Sequence, residues 1–228
     1  MKILGIDTAT KFLSLGICDG LKEYEYNIDL GTKHSAILVP AIERVLDALG
    51  WDIDDIDYFA CGLGPGSFTG IRVGVSTMKA LSWSLKKPVI GISTLDIVAG
   101  NLNLADASLA VVSDARRGLV YSAIYKIKNT GLRRASPYML SSVEEFCRKI
   151  KNNTVIVGDA LGLYKEKITL NTKSTVIPDK DYWYPKGHSI IKLARQRLGA
   201  RELNNAFRIE PIYLYPKECQ IRKIAGQK

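Results

Sequence analysis

Residues with chemical potential are few in this chain, and they gather at turns. The densest group is Gly62-Leu63-Gly64-Pro65-Gly66-Ser67-Phe68-Thr69-Gly70-Ile71-Arg72. It follows a short apolar run, Ile56 to Cys61, and opens a long helical pattern. Four glycines and a proline in eleven residues make a turn that can bring backbone very close to a neighbour. Ser67 or Thr69 can cap the helix, whose free N–H groups then face the loop. The stretch reads as a tightly packed strand-to-helix turn, or as a helix N-terminus held out to an anion or a partner surface. A second polar turn, Asp7-Thr8-Ala9-Thr10, joins two apolar runs. Its carboxylate and hydroxyls can satisfy the turn itself, as Asx and Ser/Thr turns do.

Other chemistries lack their residues. There is no HExxH, and only two histidines, His34 and His188, occur. A hydrolytic triad would have to enlist one of them without local support, so a peptidase is not expected. Cys18, Cys61, Cys147 and Cys219 form no CxxC pair, which points to free thiols in a reducing compartment rather than to disulfides or a metal site. No apolar run approaches the roughly 20 residues that span a bilayer. The run Ile3 to Ile6 is too short for a signal-peptide core. A cytoplasmic protein with no membrane contact is expected.

The net charge of +9 is uneven. Residues 1–100 hold 9 Lys+Arg against 12 Asp+Glu, whereas 101–228 hold 23 against 11. The basic half, with Arg116-Arg117, Arg133-Arg134, Arg195, Arg197, Arg201 and Arg222-Lys223, suits contact with nucleic acid or a solvated basic face.

The elements that must hold these turns follow from periodicity. Lys2 to Asp7, Phe12 to Cys18 and Glu23 to Ile28 read as strands, with Asp19-Gly20 as a hairpin turn. Ile37, Leu38, Ala41, Ile42, Val45, Leu46 and Leu49 fall on one helical stripe that Gly50 ends. Ile56 to Cys61 is a buried strand, Phe68 to Leu85 a helix, and Val89 to Ile92 another strand. Strands alternating with helices predict a mostly parallel sheet. Gly70 and Gly74 lie four apart in the second helix, where each costs up to about 1 kcal/mol relative to alanine. Close approach of another helix would offset that, from this chain or from a partner. The second half restarts with a strand at Leu109 to Ser113 and a hairpin through Arg116-Arg117-Gly118. A helix at 141–151, a strand at Val155 to Val157 and a basic helix at His188 to Leu198 follow. Both halves open with a strand ending in Asp, at Asp7 and Asp114, which suggests a duplicated lobe.

GPGSFTGIR, with the N-terminal ILGIDTAT and the segment KHSAILVPAI, resembles the TsaB (YeaZ) family. The resemblance is dense to about Asp96 and thinner through DARRGLVY and EPIYL. It implies an α/β fold of the actin-like ATPase (ASKHA) superfamily: two ribonuclease-H-like lobes of mixed sheet with flanking helices, the second reduced. The lobes would span 1–104 and 105–228. In that superfamily the turn after the first strand meets nucleotide phosphates, which assigns Asp7, Thr8 and Thr10 to a vestigial phosphate turn. The matching turn of the second lobe usually carries glycines, and here reads Asp114-Ala115-Arg116-Arg117-Gly118. Thr94 and Val98 stand where the TsaD relative has its two metal-binding histidines, so no metal is expected in this chain.

The resemblance further implies a non-catalytic subunit. It would pair with a TsaD-like catalytic subunit to place a threonylcarbamoyl group on the adenosine beside the anticodon of tRNA. The interface would involve His34, Leu38, Ile42, Val45, Phe68, Gly70, Ile71, Gly74, Val75 and Met78. A TsaE-like ATPase and tRNA join through the complex, ATP/ADP and metal sit in the partner subunits, and a homodimer can use the same face. The alternatives are an active small-molecule kinase or ATPase and a stand-alone nucleic-acid-binding module.

Overall fold

The computed structural model describes residues 1–31, 33–128, 131–200, 202–203 and 206–216. Cys219 and Arg222-Lys223 lie outside them, as does Arg201. Two mixed sheets stand side by side. The first has the order β3-β2-β1-β4-β5. Strands β1 (Lys2–Asp7), β2 (Phe12–Asp19) and β3 (Lys22–Asp29) form an antiparallel meander. Strands β4 (Tyr58–Gly62) and β5 (Val89–Ile92) join it in parallel. The expectation of a mostly parallel sheet is therefore corrected: the two short hairpin connections make half of it antiparallel.

Alternation along β1 decides what covers each face. Leu4 and Ile6 point into a core shared with α1 (His34–Leu49) and α2 (Phe68–Ser84). Ile3 points the other way, into a core with α6 (Gly187–Gly199). That helix comes from the far end of the chain, so a division at residue 104 does not separate the two packed bodies. Gly5 and Gly16 are cross-strand partners, and both lie under α6. A Cβ on Gly5 would collide with Ile190, and one on Gly16 with the Gly187 carbonyl. Two missing side chains thus let the helix settle onto the sheet.

The second sheet also has five strands. Strand β6 (Ser108–Arg116) pairs antiparallel with β7 (Leu119–Lys128) and parallel with β10 (Thr154–Val157). Strands β8 (Gly131–Arg134) and β9 (Met139–Ser142) both pair with β7. Where β5 flanks β4, the second lobe offers β10 a single parallel bridge, Val155 to Val176. Helices α4 (Val143–Lys149) and α5 (Leu161–Asn171) pack together at this lobe. Ser142 caps α4, with Glu145 completing a capping box, while Ser141 belongs to β9. Helix α3 (Thr94–Gly100) joins the lobes. Ile97 packs in the α6 core, and Leu95, Val98 and Ala99 pack in the second lobe. Asp96 on α3 accepts hydrogen bonds from the Tyr125 and Tyr138 hydroxyls, each at 2.8 Å.

Candidate functional site

The sequence-identified turns meet at the cleft between the lobes. A cavity of about 750 Å³ is lined by Thr10, Lys11, Ser67 and Phe68 on one wall and by Asp114, Arg116, Tyr121 and Asp159 on the other. Tyr184, Tyr213 and Tyr215 complete it.

Asp7 does not reach this cleft. It is fully buried behind its own turn. Its Oδ1 accepts from the Ala9 N–H at 2.8 Å and its Oδ2 from the Thr94 hydroxyl at 2.6 Å. The Thr94 hydroxyl in turn accepts from the Gly64 N–H at 3.1 Å. Burial raises the Asp7 pKa to about 6, against the opposing pull of the Thr94 and Ala9 hydrogen bonds. Thr8 is turned away as well, its hydroxyl donating to the Gly70 carbonyl at 2.7 Å. Of the three turn residues only Thr10 lines the cleft, and its hydroxyl accepts from the Phe12 N–H at 3.2 Å.

The opposite turn is also closed on itself. Arg116, Arg117 and Gly118 all have positive φ, at 65°, 55° and 74°. The Asp114 carboxylate accepts from the Arg116 N–H at 2.9 Å and pairs with its guanidinium at 3.3 Å. Asp159 accepts from the Asp114 N–H at 3.0 Å. Burial raises the Asp159 pKa, opposed by hydrogen bonds from Ser113 and Asp114. Asp7 and Thr8 are thus withdrawn from the cleft, and Arg116 and Arg117 line its other wall.

Sequence reasoning did not single out Lys11, Tyr121, Asp159, Tyr184 or Tyr215 as a site. Gly158-Asp159 at the end of a short strand was the one local signal. The tyrosines carry none, since only tertiary folding gathers them. Lys11 pairs with Asp29 at 2.5 Å and lies over the rings of Phe12 and Tyr184. The Tyr215 hydroxyl donates to the Ala115 carbonyl at 2.8 Å, and burial pushes the Tyr121 hydroxyl up to about 12.

The histidines have other duties. His34 is buried, and its Nε2–H donates to the Thr10 carbonyl at 2.9 Å. Its Nδ1 has no hydrogen-bond partner, and burial lowers its pKa. His188 is exposed, with Nδ1 3.1 Å from Glu25 Oε2. Among the described residues no group of three or more His, Cys, Asp and Glu is placed to hold a metal. Thr94 is occupied by Asp7, and Val98 is buried in the second core.

The helix faces require a correction. Leu38, Ile42, Ile71, Val75 and Met78 are buried in this chain's own core, so they present no surface to a partner. Gly70 and Gly74 face the β1 turn, where a Cβ would meet the Thr8 carbonyl and the Thr8 hydroxyl respectively. The close neighbour that favours glycine is thus the chain's own first turn. Val45 is partly exposed. Phe68 is exposed, tilted against Tyr213 at 5.3 Å and covered by the Arg72 guanidinium at 3.8 Å. The outward surface of α1 and α2 instead includes Val39, Pro40, Ser76 and Ala80 beside charged Glu43, Arg44, Asp47 and Arg72, with Val73 and Thr77 partly exposed.

Residues 29–206 match the family model described as TsaD, tRNA N6-adenosine threonylcarbamoyltransferase. A relative in Bacillus subtilis, named tRNA threonylcarbamoyladenosine biosynthesis protein TsaB, is 30% identical with all of both chains covered. The chain belongs to the TsaB family. The Escherichia coli TsaB is 29% identical over 94% of each chain. The fold agrees: the YeaZ structure from Pseudomonas aeruginosa superposes with a TM-score of 0.81 over 93% of this chain and all of the other, at 23% identity. No described helix is long and apolar enough to cross a membrane.

Proposed function

We propose that this chain serves tRNA threonylcarbamoyladenosine biosynthesis as a cytoplasmic subunit without chemistry of its own. It pairs with a TsaD-like catalytic subunit and activates transfer of the threonylcarbamoyl group to the adenosine beside the anticodon. Family membership supports the pathway. The observation that carries the subunit role is the Asp7 carboxylate, whose two oxygens are both engaged by Ala9 and Thr94 inside the protein. A superfamily ATPase needs that group at the metal and phosphates, so the turn reads as a vestige, and ATP/ADP and metal belong to the partner subunits. The kinase alternative is disfavoured for the same reason.

The docking surface in this reading is the outward face of α1 and α2. The two helices lie side by side over one core, and small or apolar residues at Val39, Val73, Ser76 and Ala80 allow close helix approach. A homodimer of the free chain uses the same face, and a TsaE-like ATPase joins the assembled pair. The test is threonylcarbamoyl transfer to tRNA by the TsaD-like subunit with and without this chain, beside gel filtration of the mixture. Activity and a shared peak only when both are present is the expected result. Full activity of the TsaD-like subunit alone would overturn the role.

A further inference from the structure

A second cavity lies far along α2 from the cleft. It measures about 960 Å³ and runs between the end of α2, the turn into β5 and the segment around residue 207. Two large aromatic side chains border it with unusual exposure: Trp83 at 67% and Phe207 at 73%. Lys86, Lys87 and Arg208 share the lining, and among the described residues no carboxylate does. Asp55 stands near enough to feel the Lys87 charge, but it is paired with Lys2 at 3.1 Å.

The turn that carries the lysines is fixed. The Lys87 N–H donates to the Ser82 carbonyl at 3.0 Å, and the Ser82 hydroxyl returns to the Lys87 carbonyl at 2.5 Å. Lys86 is held at a φ of 54°. An exposed indole and phenyl flanked by three cations, with no acid among the described lining residues, is the composition of a single-strand nucleic-acid groove. Bases stack on the rings while the cations follow the phosphates. Lysine is depleted at protein–protein interfaces, so two lysines beside the rings favour a phosphate-bearing ligand.

We infer that this groove binds RNA, stacking an unpaired base on Trp83 with Lys86, Lys87 and Arg208 on the adjoining phosphates. The inference rests on the tRNA-modification reading, which makes the RNA the tRNA substrate. It assigns this chain a direct part in holding that substrate, away from the interlobe cleft and at the C-terminal end of α2, just beyond Ala80 of the proposed docking face.

Trp83 reports on its own contact. Unmodified tRNA titrated into the full chain at low salt should quench tryptophan fluorescence, and Trp83→Phe should remove that quenching. Trp83→Ala should weaken tRNA binding about tenfold. The double variant Lys86→Glu, Lys87→Glu should weaken it further and lower the salt slope by 1 to 2, as expected for about two lost phosphate contacts. All of these side chains border solvent, so folding is retained and circular dichroism checks it. Co-elution with the TsaD-like subunit should persist in each variant. Unchanged tRNA affinity, or no binding by the wild type, overturns the assignment. Lost co-elution with unchanged tRNA affinity also overturns it and gives the groove to a protein. A wild type that binds tRNA through Trp83 yet fails to stimulate the TsaD-like subunit would instead sink the activating role and leave the groove standing.

Discussion

One hydroxyl, that of Thr94, ties the first turn of the chain to the glycine-rich loop: it donates to Asp7 Oδ2 at 2.6 Å and accepts from the Gly64 N–H at 3.1 Å. That single hydroxyl thereby bolts the two turns together. The arrangement also leaves a charge in a poor place, because Asp7 is fully buried and the Thr94 and Ala9 hydrogen bonds only partly compensate.

The pH dependence follows from that burial. The folded Asp7 pKa is about 6 against 3.8 in the unfolded chain, so the folded state holds this proton more tightly. Ionised Asp7 therefore costs stability above pH 6, and the cost disappears as the pH falls toward 3.8, about 3 kcal/mol in all. His34 acts oppositely: burial lowers its pKa, so its share of stability is lost as the pH falls below 6.5. Urea denaturation of wild type and Asp7→Asn isolates the carboxylate. Their stability difference should shift in favour of the variant by about 2 kcal/mol between pH 4 and pH 7. A difference flat in pH would show that Asp7 titrates like an exposed acid.

Gly74 should prove a folding residue. Its absent Cβ makes room for the Thr8 hydroxyl, which is itself bound to Gly70. Gly74→Ala should destabilise the isolated chain by about 1–3 kcal/mol, and Gly74→Leu by more. The urea midpoint of the chain alone is the measurement. Intact stability with lost co-elution would place Gly74 in the interface between subunits after all.

The outward face of α1 and α2 behaves differently. Val39 is 47% exposed, and Ala80 is exposed on the neighbouring helix. Val39→Arg and Ala80→Arg should each change stability by no more than about 0.5 kcal/mol. Gel filtration with the TsaD-like subunit should nevertheless lose the shared peak. Retention of that peak by both variants would move the docking surface elsewhere.

Arg117 sits at a φ of 55°, a conformation that burdens any residue with a Cβ. Arg117→Gly should raise stability by about 0.5–1 kcal/mol, because relief of that strain exceeds the added freedom of the unfolded chain. A thermal melt of the isolated chain reads this directly, and a fall in the midpoint would mean that the arginine makes a contact stronger than the strain.

What could be read from the residues divides along physical lines. Apolar runs such as Val89 to Ile92 declared their strands, and Ser141-Ser142 before Glu144-Glu145 declared a helix near α4 without saying which serine caps it. Helix α5 did not show, because LGLYKEKITLN buries only Leu161 and Ile168 and so lacks an apolar stripe. Strand β8, GLRR, is a charged sheet edge without alternation. The glycines at 70 and 74 announced a close neighbour, but spacing along one helix cannot say which neighbour. The same limit applies to Ile71, Val75 and Met78, since an apolar stripe looks alike whether it faces its own sheet or another molecule. The cleft tyrosines are scattered from 121 to 215, so only the folded chain brings them together.

The seat of α6 on the first sheet has a consequence for synthesis. Ile3, Ala60 and Ile90 are translated before the helix that covers them, with Ile190, Ile191 and Ala194. A nascent chain halted before residue 187 exposes that sheet face to water, and a fragment ending at residue 104 does so permanently. The first half of this protein therefore waits on the ribosome to complete its own wall, and truncation downstream is felt at the N-terminus.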